Sequence, residues 1–116
     1  MKQYVRVMKA VSDPNRVRVL KILEGGPLCV CEIQEVLGLA QPTVSSHMKI
    51  LEDAGLVNKE RQGTWMIYSQ ADGTDSVYAK IMLATIKGWL NEDPELRRMI
   101  EALPGASCRR IAVQKK

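Results

Sequence analysis

Apolar positions in the first half of the chain recur at helical spacing, and glycine or proline ends each run. Tyr4, Val5, Met8 and Val11 predict a helix over residues 3–12. Asp13-Pro14 reads as the next helix start, with Asp as the N-cap and Pro at the first helical position. Val17, Val19, Leu20, Ile22 and Leu23 carry that helix to Gly25-Gly26-Pro27. Leu28 to Val30 is apolar enough for one short strand, and a helix is predicted from about Cys31 to Leu37, closed by Gly38. Gln41-Pro42 opens another, running to Ala54 before Gly55. Taking Val44 as reference at about 100° per residue, Met48 and Leu51 fall within about 40° of it and mark a core face. Ser46 and Lys49 point away, with Thr43 and Ser45 on the flanks.

The period then changes. Leu56 to Arg61 and Thr64 to Ser69, joined through Gln62-Gly63, read as a β-hairpin. Asp72-Gly73-Thr74-Asp75 breaks the chain. Val77, Ile81, Met82, Leu83, Ile86 and Leu90 predict an apolar helix to about Leu90, too wide in its apolar face for one small domain and therefore assigned to a dimer contact. Pro94 to Leu103 is a last helix. The expected domain is residues 1–103, followed by a basic tail over 104–116 that carries Arg109, Arg110, Lys115 and Lys116. That tail reads either as a solvated end or as a phosphate-touching arm.

Two short helices joined by a tight glycine turn, followed by a hairpin, predict a mainly α winged helix-turn-helix. The second helix presents small hydroxyls where stronger helix formers would serve a plain surface better. Gln41, Thr43, Ser45, Ser46 and Lys49 are the candidates to face bases or backbone of a major groove, and Lys59, Arg61 and Gln62 the candidates on the wing. The wing charges read alternatively as guards of a solvated edge strand. His47, beside the core face, reads as a hydrogen-bonded structural residue.

Composition narrows the setting. With 116 residues and a net charge of +4, the chain is one domain whose mild positive excess permits nucleic-acid binding without requiring it. That excess is spread evenly. Residues 1–70 hold nine Lys/Arg against seven Asp/Glu, and residues 71–116 hold eight against six. No apolar run approaches the roughly 20 residues that cross a bilayer, and no leader-like stretch opens the chain, so it is read as cytoplasmic, with no membrane partner. An enzyme is not expected: there is no Cys-x-x-Cys, no nucleotide-binding glycine motif, and one His for acid–base work. No organic cofactor is expected.

Asp13 to Leu20, Cys29-Val30-Cys31-Glu32-Ile33, Gln41 to Leu51 and Ala54 to Val57 together resemble the ArsR/SmtB family of metal-responsive bacterial repressors, over about residues 4–90. The resemblance implies a homodimeric repressor that reads a near-palindromic double-stranded operator and leaves it when a metal or metalloid binds. The family's zinc sensors use His and carboxylates on the long C-terminal helix, where residues 75–90 here hold no His. Its cadmium and lead sensors add cysteines from an N-terminal arm, and residues 1–28 hold none. The arsenic-type motif, Cys-Val-Cys-Asp-Leu-Cys, matches at Cys29 and Cys31 but meets Gln34 at its third cysteine. The resemblance thus implies As(III) or Sb(III) as inducer on Cys29 and Cys31, with Cys108 as the candidate third donor.

Two readings stay open beside it. One is a regulator that answers to thiol oxidation or to no ion. The other treats both cysteines as small core residues. A disulfide across one intervening residue is expected to be strained, which counts against oxidation. On a regular helix, residues two apart point about 200° from each other. If both cysteines were helical, holding one ion would have to uncoil that turn or keep it extended.

Overall fold

The structure, a computed structural model, describes residues 1–103. Cys108 and the basic tail lie outside the described residues. Six α-helices and three short strands follow one another: α1 (Lys2–Ala10), α2 (Pro14–Ile22), β1 (Leu28–Cys29), α3 (Val30–Leu37), α4 (Gln41–Asp53), β2 (Val57–Gln62), β3 (Trp65–Gln70), α5 (Val77–Lys87) and α6 (Pro94–Glu101). This is a mainly helical winged helix-turn-helix.

Local chemistry sets most boundaries. The Asp13 carboxylate accepts the N–H groups of Asn15 at 2.8 Å and Arg16 at 3.2 Å, capping α2, with Pro14 at its first position. Burial pushes the Asp13 carboxyl up. The N–H groups of Arg16 and Asn15, together with the charges of His47 and Arg16, outweigh it and hold the pKa below the ordinary value of 3.8. Gly38 (φ 69°) supplies the left-handed residue that ends α3, its N–H donating to the Gln34 carbonyl at 2.9 Å. The helix predicted to reach Leu90 stops at Lys87, with Leu90 in a turn at φ 63°.

Lys21 explains part of that earlier end. It is buried, yet its ammonium donates to the Ile86 carbonyl at 2.9 Å and to Asn91 Oδ1 at 2.8 Å, and pairs with Glu24 at 3.0 Å. A cation in α2 therefore shares the carbonyls at the end of α5, where the Ile86 oxygen also accepts from the Trp89 N–H at 2.9 Å.

The sheet is antiparallel throughout, in the order β1-β3-β2, so the two-residue β1 adds a third strand to the wing. Leu28 lies opposite Tyr68 and Cys29 opposite Ile67. The main core joins Val7, Leu20, Ile33, Met48, Leu56 and Ile86 from across the domain, all fully or almost fully buried. Among the described residues, no helix is long and apolar enough to cross a membrane.

Candidate thiol site and nucleic-acid interface

Cys29 ends β1 and at the same time caps α3, with extended backbone (φ −82°, ψ 162°). Its N–H donates to Glu32 Oε1 at 3.0 Å as half of a capping box. Cys29 and Glu32 are buried, whereas Cys31, in the first turn of α3, is exposed.

Because only one of the two cysteines is helical, the opposed directions expected on a regular helix do not arise. The sulfurs meet without any uncoiling of α3, and the structure records them as a disulfide with 5.4 Å between the Cα atoms. Around the buried sulfur, Cys29 and Ile67 form a small cluster of their own, with Trp65 packed against it, apart from the main core. Among the described residues, no group of three or more His, Cys, Asp or Glu is placed to hold a metal ion. A third protein donor therefore has no position in the described part, and Cys108 lies outside it.

Helix α4 separates its two faces as its periodicity predicts. Val44, Met48 and Leu51 are fully buried, while Gln41, Thr43, Ser45, Ser46 and Lys49 are exposed. Lys49 pairs with Asp53 at 3.4 Å, an exposed pair of the kind that contributes little and exchanges readily. His47 is half-buried, its Nδ1 lying 3.2 Å from Arg16 Nη1. Arg16 also donates to the carbonyls of Ala10 at 2.8 Å and Lys9 at 3.2 Å. His47 thus orients α4 against α2 and the end of α1, in the structural role expected of it.

On the wing, Gln62 lies opposite Trp65, leaving Gly63-Thr64 as a two-residue turn with Gly63 at φ 63°. The three wing candidates are not equivalent. Lys59 reaches Glu52 of α4 at 3.6 Å, tying β2 to the helix. Gln62 is half-buried, and its amide donates to Glu60 Oε1 at 3.3 Å. Arg61 is exposed near the tip, with no ion pair among the described residues. Burial raises the Tyr68 hydroxyl above its ordinary value and the Glu52 carboxylate adds to it, so this residue stays a neutral phenol under the sheet.

Sequence reasoning missed Trp65 and Ile67 as neighbours of the thiol. Their alternation two apart places them on one face of β3, but what that face would meet was not readable. Between α1 and α5, Tyr4 and Tyr78 stack edge-on with centroids 5.8 Å apart, beside Val77 (58% exposed) and Ile81 (60%).

Comparison with known proteins agrees with this architecture. The family model described as "Bacterial regulatory protein, arsR family" matches residues 13–59. An HTH-type transcriptional regulator of Methanocaldococcus jannaschii is 45% identical over 67 residues, 57% of this chain and 75% of that one. The arsenical resistance operon repressor of Bacillus subtilis is 36% identical over 73 residues, 62% of this chain and 70% of its own length. Among solved structures, the homodimeric winged helix-turn-helix domain of a possible ArsR-family regulator from Mycobacterium bovis superposes with a TM-score of 0.63. It is 28% identical and covers 74% of this chain and 76% of that one.

Proposed function

The chain belongs to the ArsR family of DNA-binding bacterial regulatory proteins, and from that premise we propose a repressor released from its operator when As(III) or Sb(III) binds Cys29 and Cys31. One observation carries the reading: two sulfurs converge at the junction of β1 and α3, in the first helix of the DNA-binding pair. Thiolates are soft donors and select thiophilic ions. Each thiol replaces one oxygen ligand of arsenite. Two As–S bonds form, two As–O bonds break, and each thiol proton leaves with a hydroxide as water, with arsenic remaining trivalent. Solvent or Cys108 supplies the third ligand. The operator is double-stranded and near-palindromic, read by two copies of the chain that bury Tyr78, Val77 and Ile81 against each other. Gln41, Thr43, Ser45, Ser46 and Lys49 enter the groove, and Arg61 touches backbone beside it, with Lys59 and Gln62 in support. The reaction is binding, not turnover, and the site is the cytoplasmic face of gene control.

Arsenite titration of the operator complex under thiol reductant tests this. Release by about 5- to 150-fold in affinity is the usual span of such coupling. Cys29→Ser and Cys31→Ser are expected to abolish it, and Cys108→Ser shows whether the tail thiol takes part. Unchanged induction in both Cys29→Ser and Cys31→Ser ends the proposal. The recorded disulfide favours a second reading, in which the pair hands two electrons and two protons to a peroxide or a disulfide and closes. Oxidised and metalloid-loaded forms exclude each other, so release by peroxide without arsenite would support the second reading.

A further inference from the structure

We propose that occupancy of the thiol site is signalled through the wing, with Trp65 and Ile67 as the positioning residues that couple Cys29 to the β2–β3 hairpin. This rests on the metalloid reading above. The side chains clustered with the buried Cys29 are Ile67, 4% exposed, and the half-buried Trp65, both from β3. None of the residues that α4 buries belongs to this cluster. Val44, Met48 and Leu51 all lie in the main core instead.

Backbone pairing follows the same route. Cys29 pairs with Ile67, and β3 is the central strand of the sheet. Across β3, Ile67 lies opposite Glu60, Met66 opposite Arg61 and Trp65 opposite Gln62. The residues clustered with Cys29 therefore flank, within one strand, the partner of the exposed wing cation Arg61.

The direction of the displacement follows from packing. Interiors close-pack, so an atom added at a sealed sulfur moves a neighbour. On one side stands a core sealed by residues from across the domain. On the other stands a hairpin whose base is anchored in that core by Val57 and Tyr68, while Trp65, beside the turn, is only partly buried. The outer end of the hairpin is the cheaper part to move, and a ligand biases only what its loaded form holds differently.

Arsenite titration of full-length Trp89→Phe leaves Trp65 as the single tryptophan of the two in the chain. Its emission is expected to change with the same midpoint as the ultraviolet thiolate–arsenic absorbance. Operator affinity is then measured with and without arsenite in Trp65→Ala, Trp65→Phe and Ile67→Val. The expected result is retained arsenite absorbance in all three. The release factor should fall most in Trp65→Ala, by about tenfold or more of the usual coupling span, and least in Trp65→Phe. Ile67→Val, the mildest change, should give partial loss even if Trp65→Ala fails to fold. Arsenite that binds and releases the parent with Trp65 emission unmoved, or with the release factor intact in the variants, overturns the wing route and leaves the metalloid reading standing. Absence of arsenite binding in the parent overturns both.

Discussion

Val44, Met48 and Leu51 of α4 are sealed into a core to which most of the helices contribute, whereas Cys29 shares a much smaller cluster with Ile67 and Trp65 of the wing. One region lies inside the main core and the other at its margin, in a smaller cluster. The helix proposed to read the operator needs the first property, because the proposed groove contacts demand a fixed orientation of Gln41, Thr43 and Ser46. A thiol site that is to change state needs the second, because a region with few partners rearranges at low cost. The domain places the two side by side, with α3 contributing Ile33 to the main core and beginning at the thiol pair.

The harshest way to probe this contrast is to open the core. Leu51→Ala removes a fully buried side chain, and the expected loss is about 2–5 kcal/mol of unfolding free energy. Urea unfolding checks it, and a loss no larger than that of a conservative change at Ile67 would erase the distinction between the two regions.

A smaller effect is expected where α2 is capped. Asp13→Ala removes the acceptor for two N–H groups, at about 0.5–2 kcal/mol. The native pKa is lowered, so Asp13 contributes fully above its unfolded value of 3.8, and that contribution is lost as pH falls through the lower native value. The parent and Asp13→Ala should therefore converge in stability below that pH. A gap that persists in strong acid would show the cap to be less important than its geometry suggests.

The gentlest probe leaves folding alone. Arg61→Gln removes the exposed wing cation. It should reduce the salt slope of operator binding by about 0.9 per protomer while leaving the thermal midpoint near that of the parent. A slope that stays at the parent value would place Arg61 away from phosphate.

Much of the domain was legible from local signals. The α2 start was written in Asp13-Pro14, the turn between α3 and α4 in Gly38, and the buried face of α4 in Val44, Met48 and Leu51. The hairpin was equally clear, because alternation and Gly63 act over neighbouring residues. The end of α5 carried a local signal in Gly88, directly after Lys87, whereas the contact of Lys21 with the Ile86 carbonyl, from 65 residues away in sequence, had none. Lys59 was grouped with the phosphate candidates, and its pairing with Glu52 depends on how β2 returns along α4.

The sequence alone determined the order of elements, the winged helix-turn-helix and the polar face of α4, since helical and strand periods are carried by each segment independently. Tertiary structure decided that the two-residue β1 lies against β3, that Cys29 is extended where Cys31 is helical, and that its neighbours are Ile67 and Trp65. A strand of two residues has no period to read, and its partner and register arise only when distant segments pack together.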